Sequence, residues 1–389
     1  MKLRVLTLLF VSVAIAAILS LYLAYRSPVS IPEPSDLAHS FDRLLLEAVE
    51  AAKKEVKKQP GSASAWGELG HVYLVHDWYA EAAICYQRAV DIAQGNHEWH
   101  YYLGRSLLTI EPDEAAEALA QAIRLYPANI PARVYYGDCL TKMARFDEAR
   151  NQYQQVARLD PKNPYPELRL GQIALNAEEF ELARDYLSRS LSRNPEHSEA
   201  HATMAQVYFA LGDAEAARRH AQHATKPTKF TLMQDDLWWN VLKAGVRTQH
   251  FAGRASVYAK FGKLEIAVAE MEEALLYRKD DPALWLYYGT ALWGGKRYQE
   301  TVDALKRALI LAANSNGEPR MSAKNVGNAH LYLGLAYAEV GSPTLAEQHL
   351  KQALATNPTS VRAMNSLARF YASRGRTREA SLLMNRASQ

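Results

Sequence analysis

Cysteine is nearly missing from this chain: Cys85 and Cys139 are the only two in 389 residues. Neither belongs to a CxxC pair, which excludes the common structural zinc modules. Both fall in helical patterns and read as small core residues, so they say nothing about the redox compartment. Net charge is as scarce. Lys and Arg total 45 against 42 Asp and Glu, a balance of +3, and no basic block carries interleaved aromatics. Nucleic acid is therefore not an expected partner.

The motifs of catalysis are missing too. There is no Gly-rich phosphate loop and no nucleophile elbow. His97-Glu98-Trp99-His100 fails as a zinc helix, because its histidines are three apart instead of four. His197 and His201 do have the four-residue spacing, with Glu199 between them. However, His197 falls in a turn, and His201 takes the core-facing position that Trp66 holds earlier in the chain. His220 and His223 share a helix face and also read as structural. Asp235-Asp236 and Asp280-Asp281 lie near helix ends, where capping explains them. The expectation is no catalytic residue, no metal, no cofactor and no enzyme.

Long apolar runs are limited to one place. Residues 5–25 carry no charge and are long enough to cross a bilayer as a helix. Lys2 and Arg4 precede the run; Arg26, Glu33, Asp36 and Asp42 follow it. The positive-inside rule places residues 1–4 in the cytoplasm and the remainder outside it. No small-x-small cleavage site closes the run, so it reads as an uncleaved signal anchor. The expected localisation is the bacterial inner membrane, single-pass, with the bulk of the chain periplasmic. Residues 26–35 hold three prolines and read as an extended spacer. Residues 36–60 have helical periodicity, with Phe41, Leu44, Leu45, Ala48, Ala52 and Val56 on one face. The charged end, from Lys53 to Lys58, reads as a solvated face near a helix C-terminus.

What the chain has in abundance is self-similarity. Gly70, Gly104, Gly137, Gly171, Ala205, Ala255, Gly289, Gly334 and Ala368 are separated by 34, 33, 34, 34, 50, 34, 45 and 34 residues. Twelve residues after most of them stands alanine: Ala82, Ala149, Ala183, Ala217, Ala267, Ala346 and Ala380. Ala115 fits if its turn is one residue short, and Thr301 is the exception. A third small position follows seven residues later, as in Ala89, Ala274 and Ala353. Small residues let two antiparallel helices approach, and large ones such as Trp66, Leu69 and Tyr73 fill the rest. Pro127, Pro161, Pro195 and Pro358 end units. No unit can bury its own apolar face, so neighbours must stack.

This pattern resembles the tetratricopeptide repeat (TPR) family over residues 63–389. The resemblance implies an all-α, right-handed superhelical solenoid of about nine helix pairs with a concave groove. Residues 63–225 form repeats 1–5, 226–247 a Trp-rich helical insertion, and 248–389 repeats 6–9. The helix of residues 36–60 fits as a half-repeat. The insertion is expected to hold an extra helix that runs on into the next one. Its Trp238 and Trp239 cannot both face one side; they are either buried by the solenoid or one is a partner anchor. Arg254 stands where leucine is usual, which leaves the packing of the sixth unit open. The last helix shows Leu382, Leu383 and Met384 with no capping helix after it, a face that a second copy could cover as a homo-oligomer.

The resemblance also implies a role. In peptide-binding relatives the first helix of each pair lines the groove. By register that lining includes Tyr101, Arg105, Asp138, Lys142, Gln172, Asn176, Gln206, Phe209 and Trp293. Amides and charges suit a partner's backbone and termini, and aromatics suit its side chains. The Lys and Asn of the chaperone-tail clamp are replaced by Gly67 and His71. The expected function is a membrane-tethered scaffold that recruits proteins or peptides to an envelope assembly machine, of the cytochrome c maturation, exopolysaccharide export or pilus kind. The alternative is a cytoplasm-facing, membrane-anchored regulatory adaptor.

Overall fold

The computed structural model describes residues 30–37, 40, 42–225, 235–313 and 321–388. Every regular element among them is helical, twenty helices in all. The chain divides into two compact units, residues 1–41 with 49–239 and residues 42–48 with 240–389.

After α1 (Arg43–Lys58) the first unit holds five helix pairs. These are α2 and α3 (Ala63–Val75, Tyr79–Ile92), α4 and α5 (His97–Leu107, Pro112–Leu125), α6 and α7 (Ile130–Lys142, Phe146–Leu159), α8 and α9 (Tyr165–Asn176, Phe180–Arg193), and α10 and α11 (Ser198–Ala210, Ala214–Ala224). Polar side chains open several first helices: Ser62, Asn96, Asn129 and His197 each accept from a backbone N–H of the first turn. Residues 30–37 do not stand off as a spacer. The Tyr73 hydroxyl donates to the Pro32 carbonyl at 2.8 Å, and Pro34 and Leu37 are buried. Lys53, expected on a solvated face, is buried and donates to Glu33 and Glu50, each at 2.9 Å. Its butyl stem lies in the core while the ammonium finds carboxylates at the edge.

The second unit holds four pairs: α13 and α14 (Thr248–Lys260, Leu264–Tyr277), α15 and α16 (Pro282–Gly294, Tyr298–Ala313), α17 and α18 (Ala323–Glu339, Pro343–Thr356), and α19 and α20 (Val361–Ser373, Thr377–Ala387). Between the two sets of pairs lies α12 (Asp236–Lys243). It is separate from α13 rather than continuous with it, because the chain breaks at Ala244–Arg247. Arg254 explains how the break is held. It is buried, its Nε donates to Glu270 at 2.8 Å, and its Nη1 donates to the Leu242 and Gly245 carbonyls at 3.0 and 2.7 Å. A leucine there could satisfy none of these groups. The first helix of the second unit's third pair, α17, begins at Ala323. Residues 314–320 lie outside the described residues. On α20 Leu383 packs against the core, while Leu382 and Met384 are exposed.

The turn inside each pair has its own rule. Seven residues after the small residue of the first helix the backbone is left-handed, at Asp77, Ala144, Glu178, Gly212, Gly262, Lys296, Gly341 and Gly375. Only the second pair escapes: its second helix starts eight residues after Gly104, where every other second helix starts nine residues after its small residue.

The inner-membrane, single-pass placement expected from the sequence is corrected. Among the described residues no helix is long and apolar enough to cross a membrane. The longest has 17 residues and is interrupted by polar side chains, against about 20 apolar residues for a span. The stretch 5–25 and the tail 1–4, on which that placement was based, lie outside the described residues.

Two outcomes follow for stability. Ala144→Gly, which removes a Cβ from a left-handed position, should stabilise the chain by about 1 kcal/mol, seen as a higher urea midpoint. An unchanged or lower midpoint would refute the strain. Arg254→Leu restores the residue the repeat pattern favours, yet it strands Glu270 and two carbonyls. It should cost about 3 kcal/mol; a neutral result in the same urea titration would show that those contacts hold nothing.

Candidate functional site

The outward face of the first helices is where chemistry collects. On α4 the register sends Tyr101 and Tyr102 side by side and Arg105 one turn later. Trp99, from the same helix, fills the space beside Gly67, where an added Cβ would lie 2.2 Å from its ring. Tyr102 stacks on Tyr86 with centroids 5.4 Å apart and meets His71 edge-on at 4.6 Å. The result is an aromatic floor under the first two repeats.

This face is occupied by the chain itself. Residues 235–239 of the Trp-rich insertion lie on it. The Tyr101 hydroxyl donates to the Asp235 carboxylate, and the Tyr102 hydroxyl donates to the Leu237 carbonyl at 2.8 Å. The Arg105 guanidinium lies 3.9 Å from the Tyr135 ring centroid and 4.2 Å from that of Trp238, between the two. Asp235 also caps its own helix, accepting from the Trp238 N–H at 3.0 Å. Burial pushes the Tyr101 pKa well above its usual 10, with the Arg105 charge opposing and Asp235 reinforcing the shift. The phenol therefore stays protonated and donates. Of the two predicted anchors, Trp238 is half-buried on Arg105, and Trp239 is half-buried as well.

The next two repeats use part of their lining internally. Asp138 accepts from the Tyr153 hydroxyl at 2.7 Å and from the Tyr165 hydroxyl at 2.9 Å. Arg169 donates to the Tyr165 hydroxyl, to Gln172 and to Glu199 at 2.7, 2.7 and 3.1 Å. Burial raises the Asp138 pKa, against the pull of the two tyrosine hydrogen bonds and of Arg169. Asp138 and Gln172 thus hold repeats 3 to 5 together. Lys142, Asn176, Gln206 and Phe209 instead stand exposed on α6, α8 and α10. In the second unit Trp293 is half-buried and meets Tyr332 edge-on at 5.5 Å, with Arg362 over the same tyrosine at 4.8 Å.

Two histidine pairs form, and His223 stacks on His201 with centroids 4.8 Å apart. His201 Nδ1 lies 2.8 Å from His220 Nδ1, and its Nε2 lies 2.9 Å from the Pro195 carbonyl. That second contact repeats one made by Trp66, whose indole N–H donates to the Pro60 carbonyl at 3.0 Å. In the second unit His330 and His349 form an equivalent pair at 3.0 Å, with Tyr337 stacked on His349. Sequence reading missed this pair, although its 19-residue spacing equals that of His201 and His220. Burial, with His349 adding to it, depresses the His330 pKa to about 4, which suits a neutral pair. Among the described residues no group of three or more metal-ligating side chains comes together.

Comparisons with known proteins agree with the repeat reading. One family model described as tetratricopeptide repeat matches residues 111–173, 174–234 and 337–389, and a second of the same description matches 43–97 and 253–319. No match was found among curated proteins. Similar solved structures include YrrB, described as a TPR protein with an unusual peptide-binding site. It is 18% identical, covers 45% of this chain and 91% of its own, and has a TM-score of 0.40. MamA from Desulfovibrio magneticus RS-1 is 17% identical over 42% of this chain and 92% of its own, also with a TM-score of 0.40. The segments matched by the two family models take in most of the sequence, and the chain belongs to the tetratricopeptide repeat family.

Proposed function

We propose that this chain is a non-catalytic scaffold that binds segments of other proteins along the outward faces of its first helices. The observation that carries this reading is the row of side chains that the solenoid leaves unused. Lys142 and Asn176 occupy the same register on successive first helices, and Gln206 and Phe209 continue the row on α10. All four are exposed, and Phe209 keeps 78% of its surface. A cation and amides beside an aromatic offer hydrogen bonds to a main chain and a contact for an apolar side chain, which is what an extended or helical segment requires. The envelope machines named from the sequence are tied to the inner-membrane placement corrected above and form no part of this proposal.

The test is affinity capture of partners by the wild-type chain and by a Lys142→Glu/Asn176→Ala/Phe209→Ala variant. Loss of captured proteins from the variant, with an unchanged circular dichroism spectrum, is the expected result. An identical set of captured proteins would overturn the reading.

A further inference from the structure

Tyr101 is an unusual choice for its position. Repeats 3, 4, 7 and 8 place Val134, Leu168, Leu286 and Leu331 in the same register, all buried. The fold asks only for an apolar residue there, so the phenol hydroxyl is surplus to the packing. Its hydrogen-bond partner is Asp235, 134 residues away. Tyr102 and Arg105 follow the same logic. One donates to a main-chain carbonyl and the other lays a guanidinium on an indole face. Together these groups read three features of one short segment: a carboxylate, a backbone carbonyl two residues on, and a tryptophan three residues on.

We propose that the outward face of repeats 2 and 3 is a recognition site for an Asp-x-x-Trp segment that opens a helix, and that Asp235–Trp238 of this chain holds the site as an internal ligand which an external segment of the same pattern displaces. The proposal rests on the scaffold reading above and names the class of partner segment.

The spacing is dictated by geometry. Asp235 accepts from the Trp238 N–H, so the carboxylate that meets Tyr101 also fixes the first helical turn. That turn is what sets the tryptophan over Arg105. A segment lacking the Asp loses both the hydroxyl contact and the shape that presents the indole. The Trp238 ring takes the Arg105 guanidinium on its face, a favourable arrangement for tryptophan. The site is also reachable. Asp235, Leu237 and Trp238 are only half-buried, and a cleft lined by His97, Tyr126, Asn129 and Ile130 runs beside Asp235 and Leu237. The insertion supplies its segment on the same chain, so it competes at the millimolar effective concentration of a tethered ligand. An external segment must therefore either bind better or arrive at high local concentration.

The probe is a fluorescein-labelled peptide with the sequence of residues 235–243, followed by anisotropy against the full chain. Wild type should bind it weakly. Asp235→Ala/Trp238→Ala, which empties the site and leaves its walls intact, should bind at least about tenfold more tightly. Adding Arg105→Glu should abolish that gain, and a peptide with alanine in place of its Asp and first Trp should not bind. Equal affinity in wild type and the double variant, or no binding to either, would overturn the proposal. Hydrogen exchange on the wild-type chain guards against a misfolded variant. Saturating peptide should speed exchange at residues 235–243, and no acceleration counts against displacement. Failure here with captured partners still lost from the Lys142/Asn176/Phe209 variant leaves the scaffold reading standing; failure of both removes both.

Discussion

In six of the nine pairs the two helices approach until no room is left for a side chain between them at one point. A Cβ added to Gly70, Gly104, Gly137, Gly171, Gly289 or Gly334 would lie 2.6–2.8 Å from a large side chain of the second helix, respectively Tyr86, Leu119, Tyr153, Leu187, Leu305 and Leu350. Each of those residues is buried. The contact works as a lock: a bulky knob of one helix seats against bare backbone of the other, and the pair is fixed in angle and distance. The small residues of the second helices, such as Ala82, Ala115, Ala149 and Ala183, are buried to the same degree. Because the inner seam alone sets the pair, the residue just after the glycine is free to vary. It is Arg105, Asp138 and Gln172 in successive repeats. That position can carry inter-repeat contacts or recognition chemistry without disturbing the seam within its own pair.

This separation explains what the sequence revealed. The lock joins residues about sixteen apart and recurs about every 34, so it leaves a local, periodic mark. Helix pairs and the small-residue register could be read from it. The left-handed turn residues could not, because Asp77, Ala144, Glu178 and Lys296 hide a position where glycine would have advertised it. Lys53 was assigned to solvent because its neighbours in sequence are charged. Its burial depends on Glu33, twenty residues earlier and beyond a helix start. Arg254 looked like a defect in the repeat. It is the residue that satisfies the carbonyls exposed where α12 ends.

The candidate site was half legible for the same reason. Register alone placed Tyr101 and Arg105 in the groove lining, and Asp138 and Gln172 with them. It could not say that the first two meet the insertion while the second two are used in a network with Tyr165, Arg169 and Glu199. Contacts across more than a hundred residues leave no periodic trace. Trp238 had been weighed as either buried or an anchor for a partner. In the structure its ring is half-buried against the Arg105 guanidinium of the same chain.

Gly67 shows why the chemistry of this face differs from a lysine clamp. Its missing Cβ is replaced by the Trp99 ring, so no longer side chain fits there without displacing an indole from the aromatic floor. A carboxylate on this face is therefore met by a tyrosine hydroxyl, and the nearby cation, Arg105, is committed to ring faces rather than to the acid. Free ammonium groups attract any anion over a Debye length and weaken with salt. A hydroxyl and a stacked guanidinium act only in contact and only in the right geometry. Selection by shape, with charge in a supporting role, follows directly from placing glycine and tryptophan where the clamp would otherwise stand.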